Sequence, residues 1–125
     1  MSAALALVLH PDTSFNVIEW RSTGDTLSTL YREIDCTSIA VVDLSPEVSM
    51  WLDDEGMLKN SPVNIPALTL YALSAPVHQP YHGTAVFTGG PDTRGDTKGL
   101  TLDHCHALLK LAGINVPTMP DPRTN

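Results

Sequence analysis

At 125 residues and 42% hydrophobic content, the chain has the length and apolar content of one domain with a single core. Seven Lys and Arg stand against 14 Asp and Glu, a formal charge of −7. That balance argues against nucleic-acid binding through a phosphate footprint, which needs clustered cations; it permits a basic protein partner but equally describes, and better fits, an ordinary soluble bacterial protein.

The first residues, MSAALALVLHPD, carry an apolar run without a basic flank or a small-residue cleavage pattern. They are expected to form a first strand over residues 4–9 rather than a signal peptide, ended by His10-Pro11-Asp12. No apolar stretch approaches the ~20 residues that cross a bilayer. Residues 15–21 predict a second strand, with Ile18 and Trp20 on one face. Gly24-Asp25 opens a helix whose stripe is Leu27, Leu30, Tyr31 and Ile34, at i, i+3, i+4 and i+7, capped by Asp25 or Thr26.

The centre of the chain, residues 38–73, reads as the unit on which the rest packs. Ile39-Ala40-Val41-Val42 suits a strand covered on both faces, stopped by Ser45-Pro46. Val48, Met50 and Leu52 alternate with Ser49, Trp51 and Asp53, placing three apolar side chains on one side of a half-buried strand. Asp53-Asp54-Glu55-Gly56 predicts a tight turn, after which Met57-Leu58 is expected to pair back briefly. Asn64 and Pro66 open a second helix, Asn64 as N-cap and Pro66 in the first turn, with Ile65, Leu68, Ala72 and Leu73 facing inward. Thr69, Leu70 and Tyr71 leave a strand over 67–73 as the alternative.

A two-proline loop then leads to a strand begun by His82-Gly83 and running to Thr88. Residues 89–99 form a polar, glycine-rich loop. Thr101 caps a last helix with Leu102, Cys105, Leu109 and Ala112 buried and Gly113 as its stop. Residues 114–125 are expected to fray.

Two strings, DEGMLKNSPVNIPAL and YHGTAVFTGGPDTRGD, carry a family signal. Through its acidic-Gly turn, its Pro-x-Asn step before an Ala-containing helix and its Gly-led strand, the chain resembles the domain-of-unknown-function 3846 family over roughly residues 4–110. That family occurs in actinobacterial phages, plasmids and their hosts and carries no accepted activity. The resemblance implies a provenance and a fold, and no catalytic residue.

The candidate chemistry is sparse. Residues 89–99 are weighed as an anion site: Gly89 and Gly90 let backbone amides approach a phosphate, and Arg94 and Lys98 supply charge, offset by Asp92 and Asp96. Asn64 joins them as a ligand-binding candidate. Asp53, Asp54 and Glu55 are weighed as a cation site or an acid/base pair, but they lack the spacing of a calcium loop. On a helix His104 and His106 diverge by about 200°, so Cys105 is expected in the core between two exposed histidines. Cys36 and Cys105 form no C-x-x-C pair, which fits reduced thiols in a cytoplasmic protein. Trp20, Trp51, Tyr71 and Tyr81 are read as packing residues rather than a base-stacking platform.

The expectation is therefore a single α+β domain over 1–113 with a flexible tail at 114–125. It has a mixed or antiparallel sheet of about four to five strands and two or three helices. The functional expectation is a small accessory protein of phage or mobile-element type. It would bind a host protein or a small, anionic ligand without catalysis, with no cofactor, metal or membrane. The alternatives are a nucleotide-signal sponge using residues 89–99 and a metal-dependent hydrolase using the carboxylates at 53–55.

Overall fold

A computed structural model of the chain describes residues 4–21 and 23–116. In chain order the elements are β1 (Leu5–Leu9), β2 (Phe15–Glu19), α1 (Thr26–Ile34), β3 (Ile39–Ser45), β4 (Val48–Asp53), α2 (Ile65–Ala72), β5 (Ala85–Thr88) and α3 (Leu102–Leu111). The five strands form one antiparallel sheet in the order β2-β1-β5-β4-β3. This is the expected α+β class.

Register explains the two-sided core. Val17, Leu7, Phe87, Met50 and Val42 pair in succession across all five strands and share one face, which α2 and α3 cover. Val8, Val86 and Trp51 lie one residue off and face α1, where they meet Leu30 and Ile34. β1 and β5 therefore lose solvent on both faces, and every residue of each is buried. Burial of this kind contributes about 1.5–3 kcal/mol for each large apolar side chain.

The caps follow the sequence. Asp25 accepts from Ser28 N–H at the start of α1, Asn64 from Ala67 N–H at α2, and Thr101 from His104 N–H at α3. The tryptophans have packing roles with satisfied indoles. Trp20 Nε1 donates to Thr97 O at 3.0 Å and Trp51 Nε1 to Thr88 Oγ1 at 2.8 Å. No helix among the described residues is long and apolar enough to cross a membrane.

Several local expectations are corrected. β3 is an edge strand, half-exposed along its length, and β1 is the strand covered on both faces. A short β-branched run marks a strand but does not locate it in the sheet. On α1, Leu30 and Ile34 are buried while Leu27 and Tyr31 stay exposed, because among the described residues α1 is the one helix on its face and buries only a narrow stripe. On α2 the buried side is Pro66, Ala67, Leu70 and Tyr71, whereas Ile65, Ala72 and Leu73 are exposed. Its rotation follows from Asn64, whose side chain points into the protein, and from Tyr71, whose ring meets Tyr81 edge-on at 5.2 Å. Met57-Leu58 belong to a multiple turn rather than a pairing strand. Leu108 joins Cys105 and Leu109 on the buried side of α3. Past Gly113, which takes φ +84, Ile114 and Val116 still pack against the core. The remainder of the expected tail, 117–125, lies outside the described residues.

Candidate functional site

The two ends of the sheet differ. At one end β1 and β4 finish while β5 begins, and a cleft of about 780 Å³ opens there. Its wall includes His10, Thr84, Asp53, Lys59, Ser61 and Asp35. The register pair Leu9–Ala85 places His10 opposite Thr84 at the next step. His10 Nδ1 lies 3.1 Å from Thr84 Oγ1, and Nε2 lies 2.9 Å from Asn16 Oδ1. With Asn16 presenting its oxygen, Nε2 carries the proton and Nδ1 accepts from the Thr84 hydroxyl. The imidazole is thus held in one tautomer by groups from β2 and the start of β5.

On the opposite wall Asp53, 9% exposed, accepts from Lys59 Nζ at 2.8 Å and from Glu55 N–H at 2.8 Å. The hydrogen bond to Asp53 raises the Lys59 pKa above its ordinary value. Cys36 lies close enough for Asp53 to act on it. Burial first, and that carboxylate second, push its thiol pKa up. At the rim Asp12 accepts from the Ser14 hydroxyl and N–H, which lower its pKa.

Asn64 sits behind this cleft and is fully buried. Its Nδ2 donates to Leu9 O at 3.0 Å and Gly83 O at 2.9 Å, while Oδ1 caps α2 at 3.0 Å. Both its donors and its carbonyl oxygen are engaged in tying β1, α2 and the approach to β5 together. The neighbouring turn is fixed in a similar way. A Cβ at Gly56 would stand 2.9 Å from His82 O, and His82 Nδ1 donates to Ser61 O at 2.7 Å.

The other four ligand-binding candidates lie at the opposite end, away from Asn64. Residues 89–99 close on themselves as an irregular hairpin. Gly89 N–H donates to Lys98 O, Lys98 N–H to Gly90 O, Asp92 N–H to Asp96 O and Gly95 N–H to Asp92 O. Asp92 Oδ1 accepts from Arg94 N–H and Asp96 N–H. Those amides are already engaged by the protein. Gly89 and Gly90 are buried, and a Cβ on Gly90 would fall 2.0 Å from Pro46 O. Their glycine identity therefore has a packing cause. Arg94 and Lys98 project outward, and the small hollow beside Lys98 also holds His104 and the Glu47 carboxylate.

Among the described residues no group of three or more His, Cys, Asp or Glu is arranged to hold a metal ion. Cys105 is buried in α3, His104 half-buried and His106 exposed. Of the acidic turn, Asp53 is ion-paired and Asp54 faces solvent.

A family model described as Domain of unknown function (DUF3846) matches residues 2–112. The chain belongs to that family. No curated protein and no solved structure matches the chain. Within this DUF3846 domain Asp53 of the acidic-Gly turn and Pro62 of the Pro-x-Asn step both line the cleft.

The sequence reading did not single out His10, Asn16, Lys59 or Thr84. His10 looked like a strand stop and Thr84 an ordinary strand residue. Only the pairing of β1 with β5, between residues more than seventy positions apart, makes them neighbours.

Proposed function

We propose that the protein binds a small polar ligand in the cleft between His10, Thr84 and Lys59, and acts by reversible association rather than turnover. The cleft's volume, about 780 Å³, carries the reading, since small-molecule sites commonly fall at about 300–1,000 Å³ with a few fixed polar groups. Those groups are pre-oriented. His10 has a protein partner on each ring nitrogen and Asp53 one on each carboxylate oxygen, which suits recognition at low ordering cost. The family resemblance supports an accessory role of phage or mobile-element type. The two cysteines outside any redox motif fit action in the cytoplasm.

A thermal-shift panel of nucleotides, amino acids, polyamines and sugar phosphates tests this, because a ligand of the native state raises its melting temperature. At least one class should stabilise the protein, and Ser61→Trp, which fills the cleft, should abolish the effect. Equal stabilisation of wild type and Ser61→Trp would refute the reading.

A second reading rests on one observation, the chain Thr84 Oγ1, His10, Asn16 Oδ1. Its order matches nucleophile, base and orienting group. Hydrolysis of p-nitrophenyl acetate that is lost in both Thr84→Val and His10→Gln would favour it over simple binding. Rates equal to wild type in those variants would remove it.

A further inference from the structure

The small-ligand cleft leaves one large feature unused, the outer edge of β3. Among the described residues this seven-residue strand pairs with β4 alone, and it spans roughly 23 Å at ~3.3 Å per residue. Folded proteins usually guard such an edge with Lys, Pro or a covering element. Residues 39–45 contain no Lys, Arg or Pro, and a bulge between Asp43 and Ser45 disturbs only the far end.

The surface beside this edge is apolar on one face. Ala40, Val42 and Leu44 turn toward the side of α2 and α3 and are only partly covered. Two grooves follow them. One, of about 360 Å³, runs along Ala40, Val42 and Leu52 to Met57 and Leu58. The other, of about 100 Å³, runs along Leu44 to Leu73 and Leu111. Leu58 is 82% exposed and Leu73 61%. Side chains two apart on an added strand would reach the same face as Ala40, Val42 and Leu44.

Charge selects the occupant. Residues 36–55, the hairpin that carries this edge, hold five carboxylates and no Lys or Arg; Lys59 pairs with the buried Asp53, and Asp43, Glu47, Asp54 and Glu55 keep the surface acidic. Antiparallel pairing of β3 with its copy in a second molecule would bring two such hairpins together, and like charges across a strand pair are destabilising. A Lys- or Arg-bearing strand has the complementary sign. The other free edge, β2, offers no equivalent, because the groove beside it mixes Arg21 and Arg32 with Glu19 and Asp25.

We propose that β3 is the docking edge for an extended, basic segment of a partner protein. That segment adds as a sixth strand and sets alternate apolar side chains into the grooves beside Ala40, Val42 and Leu44. Main-chain pairing supplies the common attraction, the grooves select spacing, and the carboxylates select sign.

The test uses the full chain, labelled with 15N, and a capped peptide alternating lysine with valine. Binding should perturb amides within residues 39–45, slow hydrogen exchange at alternate positions there, and weaken about fivefold or more between about 50 and 500 mM NaCl. Glu47→Lys, a change at an exposed turn, should weaken it severalfold, and the same peptide with glutamate for lysine should not bind. Absence of binding, equal binding of the glutamate peptide, or perturbations confined to the His10 cleft would each overturn the proposal. So would a concentration-dependent dimer in sedimentation that Val42→Lys dissolves, since a second copy would then own the edge.

Discussion

The two ends of the sheet were both rich in polar sequence, yet they use it in opposite ways. At the end formed by residues 89–99, glycines bring backbone against backbone, and six of the loop's amides donate to its own carbonyls or to the Asp92 carboxylate. At the end formed by His10, Asp53 and Thr84, polar side chains from several separate segments surround open space. A glycine-rich polar loop is thus no guide to a ligand site by itself. Backbone donors recognise an anion only when the fold has not already paired them.

Substitutions can break this contrast in a graded way. Gly90→Ala should cost the most, about 4 kcal/mol, because its Cβ would stand 2.0 Å from the Pro46 carbonyl oxygen, a backbone atom with little freedom to retreat. Gly95→Ala, in the same loop, should cost only about 1 kcal/mol. It must hold φ +85, but its Cβ meets nothing within 4 Å. Urea melts of the two variants check this, and similar losses would mean that the glycines serve conformation rather than closure.

At the cleft end, Asn64→Ala should lose about 3 kcal/mol. It removes the α2 cap and leaves the Leu9 and Gly83 carbonyls without their donor. The same substitution at Asn16, on the exposed side of His10, should change stability by less than about 0.5 kcal/mol.

The smallest effects are those of pH. The Asp12 pKa is lowered in the folded state, so its stabilising contribution is present above the ordinary value of 3.8 and disappears as pH falls through the lower folded value. The Lys59 pKa is raised, so its contribution is present below 10.5 and is lost as pH rises through the higher folded value. Melting curves of Asp12→Asn should converge with wild type only in strong acid, and those of Lys59→Met only in strong alkali.

The fold was largely legible because its signals are local. The caps at Asp25, Asn64 and Thr101, the stops at Pro46 and Gly113, and the alternation of Val48, Met50 and Leu52 each depend on a few adjacent residues. What could not be read was which strand lies where. Leu5–Leu9 and Ile39–Val42 are both short apolar runs, yet the first is central and the second is at an edge, a difference fixed by long-range pairing. The candidate site depends on the same pairing. Its residues come from the ends of β1, α1 and β4, from the approach to β5 and from the turn before α2, and no segment alone has a recognisable pattern.

The most direct test is to locate a bound small ligand on the amide spectrum of the 15N-labelled protein, using whichever compound gives the largest thermal stabilisation. The account predicts shifts at His10, Ser14, Ser61 and Thr84 that survive Arg94→Ala with Lys98→Ala. Shifts clustered in residues 89–99 and erased by that double substitution would contradict it.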